Sequence, residues 1–151
     1  MKCIIAFVGM PGVGKTEASR ILEKYEFKRI RFGDVTEEEI RKRGLEVSEL
    51  NERIIREELR RTLGMDAYAR LNKNRIERHL RSRNVVIDGM RSYEEHKLLK
   101  RIFKNRLITV ALFAPIALRF TRIGKRKTRP LSLSEIKSLS LIHISEPTRP
   151  Y

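Results

Sequence analysis

The chain has 151 residues, 40% hydrophobic and 35% charged, and its 34 Lys and Arg outweigh 19 Asp and Glu to give a formal net charge of +15. That is apolar material for one domain with a real core and too much for a disordered chain. No run approaches the roughly 18 apolar residues of a membrane span, the apolar start meets Gly9 too early for a secretory signal, and a single cysteine, Cys3, excludes an internal disulfide or a cysteine-cluster metal site. These features predict a cytoplasmic protein with no membrane partner.

In chain order, Cys3 to Val8 is a short continuous apolar run, the pattern of a strand covered on both faces in a parallel sheet, with Cys3 as a small buried hydrophobe. A Gly-rich turn leads into a helix over Lys15 to Tyr25, where Ala18, Ile21, Leu22 and Tyr25 share one face. Lys28 to Phe32 reads as a second strand and Gly33-Asp34 as a turn. Thr36-Glu37-Glu38-Glu39 offers an N-cap with a Glu three residues on, and Gly44 ends that helix. Ser48 to Leu63 and Asp66 to Arg81 are two further helices separated by Gly64. Val85 to Asp88 is a buried strand, Ser92-Tyr93-Glu94-Glu95 opens a helix to about Phe103, and Leu107 to Phe113 is a fourth strand, with Pro115 at the first position of a last helix. Apolar strands alternating with helices give an α/β fold with a parallel sheet. His79 and His96 fall on charged helical segments and read as surface residues; Phe103, Phe113 and Phe120 fall among apolar residues and read as core.

Gly9-Met10-Pro11-Gly12-Val13-Gly14-Lys15-Thr16 fits G-x-x-x-x-G-K-[ST] between a buried strand and a helix, the context of a P-loop. The glycines let backbone N–H groups point inward, and the helix N-terminus adds partial positive charge, so the loop is built to cradle a polyphosphate. Lys15 is placed to contact the outer phosphates and Thr16 to ligate Mg²⁺, while Asp88, an acid at the end of an apolar strand, is the matching metal-side residue.

These motifs resemble the nucleoside monophosphate kinase group of P-loop proteins, which includes adenylate kinase and dephospho-CoA kinase. Gly33-Asp34 is similar to the group's Gly-Asp at the entrance to the acceptor-binding helices, Asp88-Gly89-Met90-Arg91 resembles a shortened Asp-Gly-x-x-Arg, and Arg122-Ile123-Gly124-Lys125-Arg126 resembles the Arg-x-x-x-Arg that opens the lid. FGDVTEEEIRKRGLEV, GMDAYARLN, VVIDGMRSYEE and KTRPLSLSEIKS are similar to a microbial family labelled dephospho-CoA kinase-like or AAA-family ATPase. The resemblance spans residues 1 to 138. It implies a three-layer P-loop fold with a helical acceptor-binding insertion and a short basic lid, ATP or GTP with Mg²⁺ as cofactors, and phosphoryl transfer to a small nucleotide-like acceptor. It also implies roles: Gly9, Gly12, Val13, Gly14, Lys15, Thr16 and Arg122 for the nucleotide, Thr16 and Asp88 for the metal, Asp34 and Arg91 for the acceptor, and Lys15, Asp34 and Arg126 for catalysis. Adenylate kinases place an Arg shortly after Gly-Asp, whereas Val35-Thr36-Glu37-Glu38-Glu39 follows here, so the acceptor site departs from theirs.

The charge excess is concentrated: residues 97 to 129 carry 11 basic and no acidic residues, against 21 basic and 17 acidic in residues 1 to 96. That block overlaps the lid, where it suits nucleotide phosphates, and it also supports a second class, a nucleic-acid-associated P-loop ATPase or polynucleotide 5′-kinase. Arg119 and Arg129 within it read as solvent-exposed.

Leu139 to Tyr151 breaks the pattern, with two prolines and no helical period; Leu139 to Arg149 matches, at all eleven positions, the translation of a transposon-end sequencing adapter. These residues are expected to be a non-native tail, His143 with them, and the natural domain to continue past Ser138 with a last strand and helix. Sequencing the locus from an independent library is expected to replace LSLIHISEPTR with a different sequence; recovery of the same tail would overturn this reading.

Overall fold

A computed structural model describes residues 1–125 and Ser134. Strand β1 (Ile4–Val8) leads through the Gly-rich loop into helix α1 (Lys15–Glu23) and strand β2 (Lys28–Arg31). Three helices follow, α2 (Asp34–Lys42), α3 (Glu49–Leu63) and α4 (Ala67–Leu80). Strand β3 (Val85–Asp88), helix α5 (Tyr93–Phe103), strand β4 (Leu107–Ala111) and helix α6 (Ile116–Gly124) complete the described chain.

The strands form one parallel sheet in the order β2-β3-β1-β4. Crossovers in parallel sheets are right-handed. The step from β1 to β2 runs one way across the sheet and the steps from β2 to β3 and from β3 to β4 run the other, so α1 covers one face and α4 with α5 the other. The contacts agree: α1 packs on β1, β2 and β3, and α4 packs on α5, β2 and β3. The expected α/β three-layer fold is therefore present, with α2, α3 and α4 as the helical insertion.

Strand alternation sorts the side chains. Ile4, Ala6 and Val8 of β1, Ile30 of β2, and Val85 and Ile87 of β3 enter one apolar cluster with Phe32, Tyr68, Ile76, Leu80, Leu99 and Phe103. A fully buried Ile or Phe contributes about 1.5–3 kcal/mol, so this cluster dominates the sheet's stability. The register pairs Arg29 with Val86 and Arg31 with Asp88, which places all four on the opposite face, the α1 side. Charged residues suit β2 because it is an edge strand.

Several local expectations change. Helix α2 begins at Asp34 behind Gly33 rather than behind Thr36, because Gly33 already has helical angles (φ −63°, ψ −18°). Thr36 is buried instead, sharing a 2.5 Å hydrogen bond with the Tyr68 hydroxyl of α4, which has to find a polar partner inside the fold. Pro115 is the N-cap of α6, not its first residue. Cys3 is only half-buried because it precedes β1. Strand β4 ends at Ala111, so Phe113 falls beyond the sheet and is 90% exposed rather than core. His96 is half-buried, with Nε2 3.1 Å from the Thr109 hydroxyl.

Helix α5 carries a full capping box. The Ser92 hydroxyl accepts from the Glu95 N–H at 3.0 Å, and the Glu95 carboxylate accepts from the backbone N–H groups of Ser92 at 3.2 Å and Arg91 at 2.8 Å. Glu95 is only 1% exposed. Burial raises its pKa above the ordinary 4.5, opposed by those two N–H donors and by the charges of Arg60 and Arg91. A carboxyl raised on folding binds more protons in the folded than in the unfolded state, so its contribution falls as pH rises from the ordinary value through the folded one. Glu95→Gln removes that ionisation while keeping an acceptor for the cap. Its melting temperature relative to wild type is expected to improve as pH rises through that window; a difference constant with pH in thermal melts would show that the ionisation costs nothing.

Candidate functional site

The P-loop takes its shape from close backbone packing. Gly9 has φ +143°, and a Cβ there would lie 2.5 Å from the Leu112 carbonyl oxygen. Gly12 has φ +83°, and its Cβ would lie 2.7 Å from the Arg119 carbonyl oxygen. Neither position has room for a side chain, and both angles are ones L-residues avoid. The Val13 N–H donates to the Met10 carbonyl at 3.3 Å, closing the turn, and Gly14 is the N-cap of α1.

Lys15 Nζ folds back over the loop, donating to the carbonyls of Gly9 at 2.5 Å and Met10 at 3.0 Å. These carbonyls hold the ammonium above the cradle, where a phosphate oxygen would compete for it. The Thr16 hydroxyl, on the first turn of α1, donates to Asp88 Oδ1 across 3.4 Å. Thr16 and Asp88 are thus brought together across a 72-residue separation. Their donors are hard oxygens, the set Mg²⁺ accepts when it takes one or two protein ligands and draws the rest from phosphates and water. Among the described residues no group of three or more His, Cys, Asp or Glu is placed to cage a metal.

Arg29 enters the site unannounced by the sequence motifs. From β2 it places Nε 3.1 Å and Nη2 2.7 Å from Asp88 Oδ2, with Nη1 3.7 Å from Glu23 of α1. The side chains of Arg29 and Asp88 are only 14% and 10% exposed. The signal that finds Arg29 is the strand pairing: Arg29 lies opposite Val86 and so shares the face on which Asp88 lies two residues further along.

Asp34 opens α2 directly after Gly33 and two residues after Phe32, whose N–H donates to the Asp88 carbonyl at 2.9 Å. Its carboxylate pairs with Arg31 at 3.1 Å, and Arg31 also reaches Glu37 at 3.4 Å. Burial raises the Asp34 pKa above 3.8; Arg31 and Arg75 pull it down, Glu37 and Glu38 push it up. Arg75 of α4 is ion-paired with Glu38, so the acids that follow Gly33-Asp34 are partly neutralised from the neighbouring helix. Arg91 lies on the loop between β3 and α5 with an exposed side chain, its backbone held by Glu95.

Helix α6 brings two arginines to the carbonyls of the loop. Arg122 Nη1 donates to the carbonyls of Gly12 and Val13, each at 3.3 Å, and Arg119 Nη1 to that of Pro11 at 3.4 Å. Arg119, expected at the surface, is 9% exposed because the same close approach that requires Gly12 covers it. Arg126, Arg129, the remainder of the lid and the 139–151 tail lie outside the described residues.

Against this geometry, the AAA domain family matches residues 8–140. A UPF0200 protein of Methanosarcina acetivorans is 42% identical over 126 residues, covering 83% of this chain and 67% of the relative. One from Thermococcus kodakarensis is 37% identical over 125 residues, covering 82% and 68%. The chain thus spans about two thirds of the length of these relatives. Among solved structures, TT1252 from Thermus thermophilus superposes with a TM-score of 0.61 at 17% identity, covering 93% of this chain and 80% of that one. A gluconokinase from Sinorhizobium meliloti superposes at 0.53 with 16% identity, covering 93% and 73%. At such identities the structures speak to fold alone, the parallel α/β sheet with helices on both faces. On the strength of the sequence matches, the chain belongs to the AAA domain family and to the UPF0200 family.

Proposed function

We propose that this chain is the nucleotide-binding part of an ATP- or GTP-dependent phosphotransferase for a small nucleotide-like acceptor, of the nucleoside monophosphate or dephospho-CoA type. The observation that carries the reading is the placement of Asp88 Oδ1 3.4 Å from the Thr16 hydroxyl, where the P-loop runs into α1. A phosphate cradle needs only the loop; an acid beside its hydroxyl makes the site fit for metal-assisted phosphoryl transfer. The P-loop kinase-like fold supports the same class.

In this reading, the backbone N–H groups of Gly12 and Gly14 receive the phosphates, the Val13 N–H gives up the Met10 carbonyl to join them, and Lys15 exchanges the Gly9 and Met10 carbonyls for phosphate oxygens. Thr16 and Asp88 would hold Mg²⁺, which supplies charge neutralisation between the phosphates when bound. Arg122, with Arg126, neutralises charge on the transferring group, and lid closure excludes water that would hydrolyse the nucleotide. Asp34, its carboxyl raised by burial, orients the acceptor and, where the attacking group is a hydroxyl, takes its proton. Arg91 grips an acceptor phosphate from the rim.

A second reading, a nucleic-acid-associated P-loop ATPase or polynucleotide 5′-kinase, is favoured by one specific observation: Phe113, within the basic block, is 90% exposed and free to stack on a base.

The test is a screen of the full-length protein with ATP and GTP against nucleoside monophosphates, dephospho-CoA and RNA 5′ ends. Phosphorylation of a small acceptor is expected, falling to background in Lys15→Ala. Undiminished transfer in that variant would remove Lys15 from the site. Salt-sensitive RNA binding without transfer to small acceptors would select the second reading.

A further inference from the structure

The carboxylate of Asp88 is divided between two partners. Oδ1 faces the Thr16 hydroxyl, whereas Oδ2 takes two donors from a single guanidinium, that of Arg29. A guanidinium that grips one oxygen through Nε and Nη2 fixes the orientation of the carboxylate as well as its charge. Arg29 is itself braced by Glu23 at 3.7 Å, and nearby burial leaves little solvent to screen the pair. A divalent cation approaching Asp88 therefore meets a carboxylate already half-neutralised by a fixed positive charge.

We propose that Arg29 is a positioning residue that couples metal binding to nucleotide binding. It aims Oδ1 at Thr16, and its charge keeps the site weak for a bare divalent cation. Only the negative phosphates of a nucleotide in the P-loop restore enough charge for the cation to stay. This inference rests on the metal role proposed for Thr16 and Asp88. It assigns to Arg29 the task of ensuring that metal arrives with nucleotide and not before it.

The geometry separates two contributions, and two variants read them. Arg29→Gln removes the charge; Arg29→Lys keeps a charge but loses the two-donor grip. In the full-length protein, binding of Mn²⁺ is measured by electron paramagnetic resonance with and without ATP, after circular dichroism and thermal melts have established that each variant is folded. In wild type, Mn²⁺ is expected to bind tightly only with ATP. Arg29→Gln is expected to raise the affinity for Mn²⁺ alone at least about fivefold, the Coulomb effect of removing one charge from a poorly solvated site. It should thereby shrink the gain that ATP confers. Arg29→Lys is expected to keep the weak affinity for Mn²⁺ alone while broadening the signal of the ATP-bound metal, as Asp88 loses its fixed orientation.

Each other result is decisive. If wild type binds ATP and Mn²⁺ together but Arg29→Gln leaves the affinity for Mn²⁺ alone unchanged or weaker, the coupling role of Arg29 is overturned and the nucleotide site stands. If wild type binds no ATP with Mn²⁺ at all, or if Asp88→Asn leaves metal binding intact, the metal site itself is misassigned and the role of Arg29 falls with it. If Arg29→Gln does not fold, the comparison rests on Arg29→Lys: an unchanged spectrum of the ATP-bound metal would then overturn the positioning role.

Discussion

The parallel pairing of β1 with β3 is the constraint on which the rest of the molecule depends. Ile4, Ile5 and Ala6 lie opposite Val85, Val86 and Ile87, so both strands end at the same rim of the sheet. One end delivers the chain into the P-loop and the other delivers Asp88. No side chain has to reach far for Thr16 and Asp88 to meet; the register does it. The apolar residues that enforce this register are also fully buried, with Ile4, Ala6, Val85, Val86 and Ile87 all at 0% exposure. The same contacts thus hold the core together and align the site, and a shift of one residue would turn Asp88 toward the opposite face.

Around that pair the molecule arranges opposite charges with economy. Asp88 is answered by Arg29, Asp34 by Arg31, and Glu38 by Arg75. These pairs differ in worth. Those on α2 and its neighbours are only half-buried and still reached by solvent, which keeps the worth of such pairs small. The Arg29–Asp88 pair is nearly enclosed, and leaving one of its charges without the other would cost considerably more. What distinguishes it is not the number of ions but the lack of water around them.

The parts legible in the sequence were those whose physics is local. Val85–Asp88 emerges to the residue because a buried parallel strand needs an unbroken apolar run. The P-loop is readable because backbone cradling demands glycines at set intervals, and Ser92 announces its helix through a cap only three residues long. What escaped depends on partners distant along the chain. Thr36 looks like a cap until Tyr68, 32 residues away, claims its hydroxyl. Arg119 looks like one more charge in a basic block until Gly12 is packed against it. Arg29 has no motif at all; its role follows from which strand lies beside β3.

The tight seating of the P-loop has a consequence for the order in which the molecule can be assembled. Gly9 is wedged against the backbone of Leu112, and Gly12 against that of Arg119, so the motif nearest the start of the chain is moulded by segments about a hundred residues later. During synthesis, β1 and α1 leave the ribosome long before β4 and α6. The early strand-loop-helix unit then carries its phosphate-binding signature without the walls that set its shape. Competence to hold a polyphosphate arrives late, when the chain through Arg119 has folded back against the loop made first.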